Sequence, residues 1–423
     1  TVLTLIVLPI LFKVFDSKEF KRSKLKKGKK HLTVILLLLA SSFGFAQNTN
    51  MSREAVIAKA LENNKGIKAA ALQVNKMQEN IKSSFTFEKT NVYYSYDQNN
   101  LALNNLPLKV FGVQQRFLFP TVYGVQKKAN TSEFEKEKAD YELQKNKLSL
   151  QVAKTYEQIV YWQHQERLYS YLDSLYQNFS IASDRRFELG ETNYLEKITA
   201  QSKYRQIKTK LTQINFEKKA QYESLQALVQ SDEKISILEK ELVPIPTLDT
   251  TSNKAIHTAY LESISKMYKS QISLQKQHWL PDLNLEYFQG RNNGLSQSLY
   301  GFQVGIAVPI LFSGNVSKTK VAQLESQSWE EQKQNQEQKM TQFIRQQQNE
   351  IAKYQESINY YNATGKKLSE EIIKVANSSY KNGEIDFFQY IQSLENAVAI
   401  KIEYVEAVLQ FNSNQLELHY LNF

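Results

Sequence analysis

The chain has 423 residues, 42% of them hydrophobic, enough for two or three ordinary domains or one elongated one. Its 13 glycines and 7 prolines fall well below the usual shares of roughly 7% and 5%, so long helices are expected and collagen-like, Pro/Gly-rich disordered and ordinary β-sandwich classes are excluded. There is no cysteine, hence no disulfide, thiolate metal site, cysteine nucleophile or lipidated cysteine, and a mean hydropathy of −0.49 excludes a polytopic helical membrane protein.

The formal net charge of +10 is unevenly placed. Residues 1–46 carry nine Lys/Arg and two acids, or +7, which leaves only +3 for the other 377 residues. The body has no electrostatic basis for binding nucleic acid. Residues 1–15 (TVLTLIVLPILFKVF) are apolar but shorter than the ~20 residues that a bilayer span needs; they are expected to be the end of an upstream membrane helix. In residues 16–46 a basic run (Lys18–Lys30) precedes the apolar Leu32–Ala40 and Ser41–Gln47, with cleavage expected after Ala46. This pattern reads as an export signal, with an uncleaved anchor as the alternative. In both cases the basic run stays inside and the chain beyond it is exported.

From residue 47 the chain repeats itself. Asn91, Gly112 and Gly190 recur as Asn284, Gly305 and Gly383, each 193 residues later (383 − 190 = 193). A constant register over about a hundred residues marks an internal duplication. The first copy, 47–230, is expected to hold a helix over 51–83, strands near 85–97 and 108–119, a helix over 126–181, a turn at 183–193 and a helix over 194–230. A non-helical connector with Pro244 and Pro246 is expected over 231–252. The second copy, 253–423, is expected to hold a helix over 253–279, strands near 282–290 and 300–312, a helix over 316–377, a turn at 379–385 and a helix over 386–420.

The long helices carry coiled-coil spacing. Met340, Ile344, Gln347, Ile351, Tyr354, Ile358, Tyr361, Gly365, Leu368, Ile372 and Val375 follow alternating steps of four and three. Tyr161, Gln165, Leu168, Leu172, Leu175, Phe179 and Ala182 do the same in the first copy. Such a seam demands a partner helix along its length. A helix over 316–377 is about 93 Å long at ~1.5 Å per residue, and the two shorter helices of its copy, end to end, match it.

The strands have a period of two. In the second copy Phe302, Val304, Ile306, Val308 and Ile310 share an apolar face opposite Gly301, Gln303 and Gly305; in the first copy Phe111, Val113 and Phe117 correspond. Alternating strands of about ten residues are the signature of a membrane β-barrel, and these eight residues are expected to face lipid. Tyr93, Tyr94, Tyr96, Phe119, Tyr123, Tyr287 and Phe312 are candidates for aromatic girdles at the interfaces. A soluble sheet packed on the helices is the competing reading. Lys109 and Gln115 interrupt the apolar face; Lys109 sits at a strand end, and Gln115 has no explanation in the pattern. Four strands cannot close a barrel, so the chain is expected to oligomerise.

The duplicated helix–strand–strand–helix unit, the paired turns at Gly190 and Gly383, and the strand-to-helix passages QRFLFP (115–120) and VPILFSG (308–314) resemble the TolC-type outer-membrane efflux channels over about residues 51–421. The resemblance implies a mainly α fold with a small β part: a long coiled-coil α-barrel, plus four strands contributed to a twelve-strand barrel shared by a homotrimer. It also implies an outer-membrane location with a periplasmic extension, a periplasmic adaptor (membrane fusion) protein and an inner-membrane RND-type pump as partners, and no cofactor. Residues 1–15 are similar to the last membrane helix of RND-type pumps, which would put them in the inner membrane and suggests a pump fused to its own channel, with metal cations or small toxic compounds as cargo. A periplasmic coiled-coil adaptor or scaffold is the alternative.

No catalytic motif is present. The five histidines are scattered without metal spacing, and there is no phosphate loop or nucleophile elbow. By the same resemblance, the two glycine turns form the periplasmic tip, where the adaptor docks and the channel is gated. Glu191, Glu384 and Asp386 are candidates for acidic rings, and Arg185, Arg186 and Lys381 for latches between hairpins, around Gly190 and Gly383. Helix capping by the glycines and solvated charges is the simpler reading of the same turns.

Overall fold

The computed structural model describes residues 50–421, apart from 102–104, 293, 295–296 and 311. The readings of residues 1–15 and 16–46 fall outside the described residues. The first copy comprises α1 (Arg53–Asn63), α2 (Lys65–Ser83), β1 (Asn91–Leu101), β2 (Pro107–Phe117), α3 (Pro120–Glu188) and α4 (Tyr194–Val229). The second comprises α5 (Thr251–Gln277), β3 (Asp282–Arg291), β4 (Leu299–Ala307), α6 (Ser313–Tyr360), a π-turn (Tyr361–Gly365), α7 (Lys366–Lys381) and α8 (Phe387–Tyr420). The duplication is visible in the elements: α3 begins and ends 193 residues before α6 begins and α7 ends (313 − 120; 381 − 188).

Several boundaries differ from expectation, each for a local reason. The helix expected over 51–83 breaks at Asn64, whose ψ is 122°. Its Oδ1 accepts from the backbone N–H groups of Gly66 (2.9 Å) and Ile67 (3.3 Å), and its Nδ2 donates to the Leu228 carbonyl (2.9 Å). A good N-cap tied to the end of α4 outweighs the lost helical bonds. Residues 85–90 are not strand, because Phe85 and Phe87 pack on Tyr123 and Phe87 on Phe117, at 5.5–6.3 Å between ring centroids. Helix α3 starts six residues early, with Pro120 at its first position, where a fixed φ and a missing N–H cost nothing.

The strand expected to reach residue 312 ends at Ala307. Pro309 has no N–H for the ladder, so Val308 and Ile310 lie beyond the sheet, both exposed.

The largest departure is in the second long helix. The seam expected to run unbroken to Val375 changes phase at the π-turn, where one extra residue enters the turn. Above it Met340, Gln347 and Ile358 are buried. Below it Ser369 and Ala376 are buried, while Leu368 and Val375 face outward. Gly365 permits the turn: a Cβ there would sit 3.3 Å from Ile400 and Tyr360. Tyr361 stacks on Tyr404 of α8 at 3.9 Å, giving the irregular turn a packing partner.

The main core joins α3 (Val152, Tyr156, Ile159), α4 (Leu225, Val229) and α8 (Val405, Val408) to α1 and the connector. The connector is non-helical up to residue 250, and α5 begins at Thr251, two residues earlier than expected. Its Ile237 pairs with Met51, through Met51 N–H to the Ser236 carbonyl (2.9 Å) and Leu238 N–H to the Met51 carbonyl (3.0 Å). A buried polar knot crosses this core. Glu157 accepts from Arg53 (3.0 Å) and from Asn412 (2.8 Å), and Asn412 is also bound to the Val243 carbonyl and the Ile245 N–H, each at 2.9 Å. Burial pushes the Glu157 carboxyl up, more than these partners pull it down. A second core near the glycine turns unites Leu172 and Tyr176 of α3 with Phe387, Ile391 and Leu394 of α8 and Ala376 of α7.

Candidate functional site

The four strands form one antiparallel sheet in the order β1-β2-β3-β4. Its register aligns residues into rows. Val92, Val113, Tyr287 and Phe302 share one row; Tyr94, Phe111, Gln289 and Tyr300 share the next. Phe117, Leu283 and Ile306 form another row on this face, and Gln115, Leu285 and Val304 another. The face is apolar and uncovered: Phe302 is 78%, Val304 66% and Ile306 64% exposed. Phe111 is exposed as well, while Val113 and Phe117 are half-buried. The competing reading, a soluble sheet packed on the helices, fails on this exposure.

The opposite face is polar and small. Asn91, Gln114, Glu286 and Gln303 form one row, and Tyr93, Gly112, Phe288 and Gly301 the next. Tyr93 lies across Gly112 and Phe288 across Gly301; a Cβ on either glycine would run into the ring. Tyr93 therefore belongs to the polar face, where its hydroxyl donates to the Glu286 carboxylate. It is not part of an outer girdle. Tyr123 is also removed from that set: it is buried, and its hydroxyl accepts from the Leu118 N–H (3.1 Å).

Gln115 gains a reason. Thr90 donates to its Oε1 (2.5 Å), and its Nε2 donates to the Glu88 carbonyl (2.9 Å), so it fastens the segment leading into β1. Lys109 stands over the Tyr96 ring at 5.8 Å. Among the described residues β1 and β4 each pair with one strand only, which leaves two open edges. An apolar ribbon with open edges is stable in lipid only when the edges are closed by further strands.

At the far end of the long helices the two glycine turns share one geometry. Gly190 and Gly383 have φ of 75° and 76°. The Glu191 N–H reaches the Arg186 carbonyl and the Glu384 N–H the Ser379 carbonyl, both at 2.8 Å, which is the six-residue Schellman closure that a left-handed residue allows. Each following helix is capped: the Glu196 N–H donates to Asn193 (2.9 Å) and the Gln389 N–H to Asp386 (2.8 Å). Asp386 also completes a capping box with Gln389, so its carboxylate is already employed as a cap.

The charges divide into two groups. Arg186 is latched: Nη1 lies 3.0 Å from Glu196 Oε1 and 3.3 Å from the Tyr380 hydroxyl, and Thr192 donates to the other Glu196 oxygen (2.5 Å). This ties the first hairpin to α7 of the second. Glu384 accepts from Ser379 (2.8 Å) within its own turn. Arg185, Glu191 and Lys381 are exposed. Burial raises the Tyr390 phenol to about 12, so it remains a neutral donor to Asn377. Glu196, Thr192 and Tyr380 were not among the expected tip residues. The spacing Asn193-x-x-Glu196 is a helix-start signature that could have pointed to Glu196; nothing local marks Thr192 or Tyr380.

Among the described residues no group of three His, Asp or Glu side chains could hold a metal ion, and no helix is long and apolar enough to cross a membrane.

No family model matches the sequence, and no characterised protein matches it by sequence. Solved structures do match the fold. CusC, studied for the conformational changes that accompany folding and transmembrane channel formation, aligns over 88% of this chain and 92% of its own, at 14% identity and a TM-score of 0.72. The Campylobacter jejuni CmeC outer membrane channel aligns over 88% and 85%, at 14% identity and 0.71. The outer-membrane channel OprN aligns over 87% and 89%, at 11% identity and 0.74. The chain has the fold of these outer-membrane channels, a long helical array carrying a minor β part.

Proposed function

We propose that this chain is the outer-membrane exit duct of a tripartite efflux or secretion system, a passive channel rather than an enzyme. Three copies close a twelve-strand barrel in the outer membrane, and their long helices continue as a periplasmic tunnel. The observation that carries this reading is the sheet: one face apolar and uncovered, the other lined by Asn91, Gln114, Glu286 and Gln303, with both edges open. Greasy outside, wet inside and unable to close alone describes one sector of a pore wall. A soluble adaptor has no use for such a face. The fold shared with outer-membrane channels supports the same reading.

The lipid-facing set in this reading is Phe111, Val113, Phe117, Phe302, Val304 and Ile306, with Val308 and Ile310 just beyond β4. The glycine turns are the periplasmic tip. Glu191, Glu384 and Asp386 supply acidic rings that favour cations, Asp386 while also capping α8; an adaptor protein docks there and an inner-membrane RND-type pump drives the cargo, metal cations or small toxic compounds. Residues 16–46 complete the proposal as an export segment.

The test is purification of the full chain. A detergent-dependent trimer that conducts ions in planar bilayers is expected, with higher conductance or altered cation selectivity when Glu384 and Asp386 are changed to Ala. A monomer that stays soluble without detergent overturns the duct. Unchanged conductance and selectivity in the double variant discards Glu384 and Asp386 as gate residues while leaving the duct.

A further inference from the structure

The inner face of the sheet, opposite the lipid-facing one, changes character along its length. Near the helices it is hydrophilic: Asn91, Gln114, Glu286 and Gln303 share a row, and Arg116 and Asn284 share the row before it. Away from the helices it is not. The next row is Tyr93, Gly112, Phe288 and Gly301, and the row beyond that is Ser95, Val110, Gly290 and Leu299. Leu108 and Val110 lean over Gly290, 3.5 and 3.9 Å from the place a Cβ there would take. Leu299 is 59% exposed, and Tyr93, Val110 and Phe288 are half-buried. Aromatic and aliphatic side chains on the wet face of a strand serve no core, so their clustering in adjacent rows calls for a function.

The two rings are also placed so that the passage stays wide. Each lies across a glycine of the neighbouring strand, and a Cβ on Gly112 or Gly301 would come within 2.3 or 2.6 Å of the ring. A larger residue at either position would push the ring off the wall. The glycines thus let two aromatic side chains line the wall without filling the bore.

One row away stands a carboxylate with no countercharge. Glu286 accepts from the Tyr93 hydroxyl and, among the described residues, makes no ion pair. Arg116, the cation of this face among the described residues, is held by Asp282 (2.5 Å) and Glu88 (3.8 Å). Aromatic rings beside an uncompensated carboxylate suit a flat cationic ring system: ring stacks on ring, and the positive charge is drawn to the π faces and to the carboxylate.

We propose that the outer end of the duct is an aromatic collar for planar aromatic cations, with Tyr93 and Phe288 stacking on their rings, Glu286 holding their charge, and Val110 and Leu299 extending the apolar wall. The inference rests on the duct proposed above and names a class of cargo that its outer end holds in passing. Three copies repeat the set around the passage.

The test uses the full-length chain, purified in detergent and reconstituted in a planar bilayer. Current is recorded while three membrane-impermeant probes are added: propidium, a flat aromatic dication; hexamethonium, a dication without rings; and pyranine, a flat aromatic anion. Propidium is expected to halve the current at a concentration about tenfold below that of hexamethonium, and to act at lower concentration than pyranine. Tyr93→Ser with Phe288→Ser should erase most of the advantage of propidium over hexamethonium. Glu286→Gln, which still accepts from Tyr93, should weaken propidium severalfold, more at low salt than at high salt. Leu299→Asn changes an exposed position and should weaken propidium while leaving hexamethonium unchanged. If the double variant does not insert, Glu286→Gln and Leu299→Asn decide. Equal potency of propidium and hexamethonium, or propidium potency unchanged in the variants, overturns the collar and leaves the duct intact. Pyranine as potent as propidium overturns the choice of cations. A parent chain that forms no conducting channel overturns the duct and the collar with it.

Discussion

The two copies share a plan to the residue and differ in what surrounds it. Glu157 and its repeat-equivalent Glu350 occupy the same place on their long helices. Glu157 is buried between Arg53 and Asn412; Glu350 lies at the surface, paired with Lys353 one turn along its own helix at 2.6 Å. The first copy faces α1 and the connector, so its carboxylate is enclosed, whereas the second has no such cover. The same holds for the long helices. Uninterrupted α3 keeps its seam inside the chain, while the π-turn of the second copy turns part of its seam outward. Duplication copies the local instructions, and the surroundings decide which of them are buried.

That comparison breaks most sharply at the buried carboxylate. Arg53→Met strands Glu157 without a countercharge and should cost about 3–5 kcal/mol, read as a lowered midpoint of denaturant unfolding. If the loss matches that of Lys353→Met, the asymmetry of the copies is wrong. The carboxyl also has a pH signature. Its folded pKa is raised, so its favourable contribution is complete below the ordinary glutamate range and fades as pH rises towards the raised value. The stability of Glu157→Gln relative to the parent should therefore increase with pH across that window; a flat difference removes the burial argument.

Equivalent glycines in the sheet give the next contrast. A Cβ at Gly112 would lie 2.3 Å from the Tyr93 ring, whereas at Gly305 the nearest atom is 3.7 Å away. Gly112→Val should destabilise by about 1–3 kcal/mol through overpacking, with Gly305→Val clearly milder, as measured by the temperature at which the detergent-extracted assembly dissociates. Equal shifts would deny the aromatic–glycine row.

The caps come after this. Asn193→Ala and Asp386→Ala should each cost about 1 kcal/mol, while Asp386→Asn keeps the cap and removes the charge. Conductance that changes in Asp386→Asn without loss of thermal stability would separate gating from capping. Smallest is Lys353→Met: an exposed ion pair within one helix adds little to stability, so its unfolding midpoint should hardly move.

Much of the fold was legible because it rests on local chemistry. Gly190 and Gly383 announce turns, since a left-handed residue closing a helix favours glycine, and both have positive φ. The alternation in β4 announced a two-faced strand. The same local signals misled where a neighbour outvoted them. The apolar steps through Leu368, Ile372 and Val375 look like a continued seam, and nothing in their spacing reveals the extra residue held by Gly365 and the Tyr361–Tyr404 stack. Tyr93 reads as one more interfacial aromatic until Gly112 is seen beneath its ring. Asn64 looks like an ordinary helical position until the end of α4 offers it a partner. At the tip the charges were visible in sequence, but the latch of Arg186 was not, because Tyr380 is remote in the chain and only folding brings it near.

The order of helices and strands, the repeat and the two glycine turns were fixed by sequence alone, since backbone preference and side-chain period act between near neighbours. Which residues are enclosed, which carboxylate is paired and where a helical stripe turns outward were decided only by tertiary structure. Those outcomes depend on contacts between segments far apart in the chain, and spacing along one segment carries no record of what will lie against it.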